Sequence, residues 1–190
     1  PIFQLGDTFE LQFDDLFGNE ANYYYQIVHC DYDWKPSQLS INEYLQGFDN
    51  QRIQDYTNSY NTLQVYSHYT IQFPNRNTRF LVSGNYMIKI VNEDREVVFS
   101  RKFIVYETIV TVTAQVKRAR NLDVINAKQN MEFTIKSTNI TFQSPLSNVK
   151  ILLLQNGQLN TGITNVKPMY TIGNDLIYKY DTETQFWGGN

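Results

Sequence analysis

The sequence predicts an all-β chain built as two β-sandwich domains in tandem, immunoglobulin-like in type. Three observations carry that expectation. Apolar residues recur at period two, turn signals separate the runs at short intervals, and no window sustains the stripe of an amphipathic helix.

Taken in order, Phe9, Leu11 and Phe13 alternate with Glu10 and Gln12. In the next strand Tyr23, Tyr25, Ile27 and His29 share one face and Tyr24, Gln26, Val28 and Cys30 the other, a pattern for burial on both sides. Tyr69, Ile71 and Phe73 repeat the alternation until Pro74 ends it. Residues 86–91 and 97–106 flank the polar link 92–96, which has hairpin length. Ser83-Gly84-Asn85-Tyr86 has the form of a tyrosine corner, where a tyrosine near the start of a late strand hydrogen-bonds backwards to the main chain. Further strands are expected at 109–117, 131–136, 149–154 and 176–180, and Asn156-Gly157 is a favoured type I′ turn pair because both residues tolerate positive φ.

Alternation lapses between about 31 and 65, yet Tyr32, Trp34, Tyr44, Phe48, Tyr56 and Tyr60 persist. Ser40-Ile41-Asn42-Glu43 has capping-box spacing, which predicts one helical turn ending at Gly47. So many aromatics argue against disorder, and the segment is expected to be an ordered elaboration of the first sandwich. Residues 1–106 hold 8 basic and 13 acidic side chains, residues 107–190 hold 8 and 6. That shift places a boundary near Glu107: domain one over 1–106 with its elaboration, and domain two over 107–190, truncated at its C-terminus.

The 190 residues are 42% hydrophobic and 18% charged, so the chain can bury a core. A net charge of −3 argues against a general nucleic-acid binder. Polarity comes instead from 20 Asn, 15 Gln and 14 Tyr. No apolar run approaches the roughly 18 residues of a membrane-spanning helix, so the chain is not expected to span a membrane itself. Pro1 in place of Met reads as a trimmed or mature chain, and the lone Cys30 excludes an internal disulfide framework.

Catalytic chemistry finds little support. His29, Asp31 and Asp33 share one strand face while Cys30 points away, so His29-Cys30-Asp31-Tyr32-Asp33-Trp34 reads as a strand end with turn-forming aspartates rather than a metal site or a cysteine nucleophile. No G-x-S-x-G elbow occurs, and Gly188-Gly189 precedes no helix that could cradle a phosphate. Asp14-Asp15 and Asp31/Asp33 read as turns before they read as glycosidase pairs. The basic run Lys117-Arg118-Ala119-Arg120 is expected to be a solvated strand end. No enzyme activity, metal or cofactor is expected. The rings of 31–65 either fill and cover the core or bind a partner, a sugar or a protein.

The run NYYYQIVHCDYDWKPSQLSINEYLQGFDNQRIQDYTNSYNTLQVYSHYTIQFP from Asn22, with SGNYMIKI from Ser83, AQVKRARNL from Ala114, LLQNGQ from Leu153 and YDTETQFWGGN from Tyr180, resembles the type IX secretion system plug protein family. The resemblance spans nearly the whole chain and implies an amino-terminal fragment, since family members continue beyond the final GGN. It also implies a periplasmic, non-enzymatic stopper at the periplasmic mouth of a very large outer-membrane β-barrel translocon. On this basis Asp31, Trp34, Tyr44, Phe48, Arg52 and Tyr56 are the expected partner-interface residues, chosen for the length and aromatic density of their segment. The competing expectation is a carbohydrate-binding β-sandwich module of an exported protein, which would need a planar row of exposed rings on one sheet face.

Overall fold

The computed structural model describes residues 1–188; Gly189 and Asn190, the end of the YDTETQFWGGN run, lie outside the described residues. The chain is mostly β, arranged in several sheets. It divides into two compact units, Pro1–Glu107 and Thr108–Asn190.

The first unit contains β1 (Ile2–Gln4), β2 (Phe9–Asp15), β3 (Tyr24–Cys30), α1 (Ile41–Tyr44), β4 (Leu45–Gly47), β5 (Gln51–Arg52), β6 (Tyr56–Asn58), β7 (Ser67–Phe73), β8 (Thr78–Phe80), β9 (Gly84–Val91) and β10 (Val97–Tyr106). One sheet runs β1-β10-β9-β3-β5, a second β2-β7-β6, and β4 pairs with β8. Only β1 and β10 pair in parallel in this unit. The expected β9–β10 hairpin is present, with Phe103 opposite Tyr86. Asn92 closes it: its backbone N donates to Glu96 O (3.0 Å), its Oδ1 accepts from Glu96 N (2.8 Å), and Arg95 takes a φ of 63°.

The core between these strands is aromatic. Phe3 stacks on Phe9 at 4.0 Å, Tyr86 on Phe103 at 5.5 Å, and Phe80 meets Tyr86 edge-on at 5.0 Å. Four of its buried rings are phenols, and each hydroxyl has a partner: Tyr25 with Thr78 Oγ1 (2.8 Å), Tyr44 to Ile27 O (3.2 Å), Tyr69 to Ala21 O (2.7 Å) and Tyr86 to Val82 O (2.8 Å). The last bond is the backward contact that the Ser83–Tyr86 spacing predicts.

One expectation for this unit needs correcting. The capping box forms, with the Glu43 carboxylate accepting from both the backbone N and the hydroxyl of Ser40 at 2.7 Å, but the helix stops at Tyr44. Leu45 is extended (φ −137°, ψ 125°) and 2% exposed, opposite Phe80. Burying Leu45 in the core outweighs another helical turn. Within residues 31–65, β5 adds to the edge of the first sheet and β6 to the edge of the second. These strands are two or three residues long, too short for alternation to register.

The second unit contains β11 (Thr111–Arg118), β12 (Lys128–Lys136), α2 (Pro145–Asn148), β13 (Leu152–Leu153), β14 (Ile163–Thr164), β15 (Tyr170–Ile172), β16 (Asp175–Tyr178) and β17 (Gln185–Trp187). Its main sheet runs β11-β12-β16-β15, and β17 also pairs with β12. Phe133 stacks on Tyr178 at 4.3 Å, over a core that includes Ile135, Ile151, Leu153 and Leu176. The Tyr178 hydroxyl is buried without a hydrogen-bond partner, and burial is the main cause pushing its pKa up to about 12. The strand expected at 149–154 shrinks to Leu152–Leu153. Asn156 and Gly157 do form the expected turn, with positive φ (53° and 71°) and Gln158 N donating to Gln155 O at 3.1 Å, but no strand ladder flanks it directly. The ladder joins Leu153 to Ile163, beyond a single 3-10 turn at Leu159–Thr161 that consumes the intervening chain.

The basic run at the end of β11 is exposed, as expected, and also structural. Glu132, 6% exposed on β12, accepts from Lys117 Nζ at 2.6 Å and from Arg120 at 3.2 Å, and Arg120 also reaches Asp181 at 3.0 Å. The Lys117 hydrogen bond is the first cause holding the Glu132 carboxyl below its ordinary range. A lowered folded pKa stabilises the fold above the unfolded value, about 4.3 for Glu, and that contribution is lost as pH falls through the lower folded value. Glu132→Gln is therefore expected to lower stability at neutral pH and to flatten the acid side of the stability curve. Thermal unfolding of the whole chain from neutral down to strongly acid pH checks this, since the contribution is lost as pH falls below the ordinary glutamate value.

Candidate interaction surface

The turn after β3 is built by Asp31. Its Oδ1 accepts from the backbone N of Asp33 and of Lys35, both at 2.9 Å, and Trp34 takes a φ of 64° within it. The Trp34 ring is half-buried and lies under the Lys102 ammonium, 4.8 Å from its centroid. Next to this turn, His29 Nδ1 bonds Ser37 Oγ at 2.8 Å while the ring stacks on Tyr44 at 5.6 Å. The Cys30 thiol is buried, and its pKa is raised by that burial first. Among the described residues, no three His, Cys, Asp or Glu side chains group to hold a metal ion.

The six residues expected at an interface occupy five different places. Asp31 and Trp34 share the turn, whereas Tyr44 is 8% exposed and its ring fills the core. Phe48, 74% exposed, follows β4, with its backbone N donating to Asn77 O. Arg52 on β5 borders a cleft of about 350 Å³ together with Asp55, Thr70, Gln72, Asn75 and Arg76. Tyr56 on β6 lies against Tyr69 at 5.4 Å and donates to Glu20 at 3.0 Å, a bond that raises its pKa; the Arg52 charge acts on it in the opposite sense.

The three largest apolar exposures in this unit, Leu63, Tyr60 and Phe17, lie elsewhere, on two loops that touch. Leu16 (60% exposed) and Phe17 (83%) follow β2, while Tyr60 (92%), Leu63 (111%) and Val65 (58%) lie between β6 and β7. Gln64 Nε2 donates to Leu16 O at 2.9 Å and so ties the loops together. Leu16 and Phe17 escape notice in the sequence because they look like a continuation of β2. Gly18-Asn19 directly after them is the signal that could have marked a loop tip. The row of rings a sugar-binding face would need is not what these residues make. Exposed Phe17, Phe48 and Tyr60 stand on loops, and Tyr56, Tyr106, Tyr170 and Trp187 are spread over three different sheets.

Gly47 positions Phe48. Its φ is +130°, and a Cβ built there would lie 1.7 Å from Asn77 O, a main-chain atom held by the β4–β8 pairing. Gly47→Ala is accordingly expected to cost about 2–3 kcal/mol of unfolding free energy by urea titration.

Residues 1–107 match the family described as the type 9 secretion system plug protein first domain. No curated protein matches. Among solved structures, the chain is similar to a hypothetical protein from Parabacteroides merdae ATCC 43184, with a TM-score of 0.92 and 34% identity. That likeness covers 100% of this chain and 49% of the other, so the chain spans about half the length of this relative. Since the family match takes in residues 1–107 of 190, more than half of its length, the chain belongs to the type 9 secretion system plug protein family.

Proposed function

We propose that the protein is a non-enzymatic plug subunit of the type IX secretion translocon, which closes the periplasmic side of a large outer-membrane barrel when no cargo is passing. The observation that carries this proposal is the plug-domain match over residues 1–107. The proposed location is the periplasm, in association with the outer membrane. A stopper needs shape and a reversible contact. An amide-rich surface suits both, because its contacts can be wet and need not form a continuous apolar seal.

Within this proposal the first unit is an immunoglobulin-like sandwich. Its supports are the two facing strand sets, β1-β10-β9-β3-β5 and β2-β7-β6, and the backward bond of Tyr86 to Val82. The proposed barrel contact includes Asp31, Trp34, Phe48, Arg52 and Tyr56 through their surface positions, while Tyr44 supports it from the core.

Affinity capture of the tagged full-length protein from detergent-solubilised envelopes, followed by mass spectrometry, tests the assignment. A giant outer-membrane barrel is expected as the principal co-purifying protein. Its absence at near-native protein levels, with cargo export blocked as well as active, overturns the proposal.

A further inference from the structure

We infer that the paired loop tip of the first unit, carrying Leu16, Phe17, Tyr60, Leu63 and Val65, docks into an apolar recess with a basic rim on a protein partner. The inference rests on the plug proposal for the partner's identity, the barrel, but its argument comes from the tip itself.

Five large apolar side chains, 58% to 111% exposed, stand on two loops joined by the Gln64 bond to Leu16. Single exposed apolar residues are ordinary, but a contiguous cluster marks an interaction site. The tip is already ordered. Phe17 N donates to Asp15 Oδ1 at 3.0 Å, Thr62 Oγ1 to Gln64 O at 2.7 Å and Tyr66 N to Ser59 Oγ at 2.9 Å. Glu20, where the first loop ends, accepts from Tyr56 and Asn58 on β6. A pre-ordered tip loses little conformational entropy on docking.

Charge selects the kind of partner. Residues 16–19 and 59–66 carry no carboxylate, ammonium or guanidinium, and the carboxylates bordering the first loop are Asp14, Asp15 and Glu20. The surrounding residues 1–106 hold 13 acidic against 8 basic side chains. An anionic lipid surface repels such a rim, whereas a protein recess edged with Lys or Arg complements it.

The test uses the full-length protein. Phe17→Ser combined with Leu63→Ser removes two exposed side chains, so the unfolding midpoint is expected to hold. Recovery of the barrel on the tagged protein is expected to fall at least about tenfold, as for the loss of hot-spot anchors. Leu122→Ser, which removes an equally exposed leucine of the second unit (82%), is expected to leave recovery unchanged. Asn19→Lys should weaken capture and Asn19→Glu should not. If the wild type captures the barrel and the double variant does so equally well, the tip assignment is overturned while the plug proposal stands. Failure of the wild type to capture any barrel overturns both. Flotation with phosphatidylcholine vesicles, with and without phosphatidylglycerol, that depends on Phe17 and Leu63 would overturn the choice of a protein partner. Protection of Phe17, Tyr60 and Leu63 from hydroxyl-radical oxidation in the free full-length protein would show the tip covered by its own chain, and overturns the docking role.

Discussion

The first unit depends on one constraint: a phenol buried in an aromatic core must find an acceptor for its hydroxyl. An unbonded buried hydroxyl costs about 1–3 kcal/mol, so each such ring fixes the position of the segment that supplies its partner. Tyr69 holds Ala21 in the β2–β3 connection, Tyr44 holds Ile27 on β3, Tyr25 holds Thr78 on β8, and Tyr86 holds Val82 ahead of its own strand. The rings thus serve as packing and as ties between sheets and loops. The order of the exposed tip follows from the same device. Ala21 is pinned to the core by Tyr69, and Glu20 beside it takes the Tyr56 and Asn58 donors of β6. In the second unit the Tyr178 hydroxyl has no such partner, and its stacking on Phe133 carries the contact alone.

The long strands were legible because one buried face imposes period two. Tyr69, Ile71 and Phe73 are all buried on β7, as are Tyr25 and Ile27 on β3. The β9–β10 hairpin was legible for the same reason, with Asn92 supplying its turn chemistry. Short strands were not legible. β5, β13 and β14 have two residues each, and tertiary pairing decides them where local pattern cannot. The capping box correctly announced where a helix starts. It could not announce the end, since Leu45 is extended by its burial opposite Phe80, a residue 35 positions away in sequence.

The site was less legible than the fold. Aromatic density pointed to 31–65, but density does not separate a ring such as Tyr44, which is buried, from one such as Phe48, which is exposed. The basic run was legible only in part. Lys117, Arg118 and Arg120 are exposed at a strand end, as expected, but the convergence of Lys117 and Arg120 on the buried Glu132 is a long-range contact that a linear sequence does not display. Phe17 was hidden by standing in phase with Phe9, Leu11 and Phe13, and Leu16 by following directly on β2. The docking role proposed for these residues rests on their place on an ordered, uncharged tip in a domain of the plug family.

The central claim is that this protein closes a wide pore, and the entry of a large polar solute into the periplasm measures closure directly. In cells that assemble the translocon, removing the protein is predicted to raise the outer-membrane entry rate of a fluorescent hydrophilic probe too large for ordinary porins, and restoring it to return the rate to baseline. An entry rate that stays at baseline without the protein, in cells shown to retain the assembled barrel, would contradict the account.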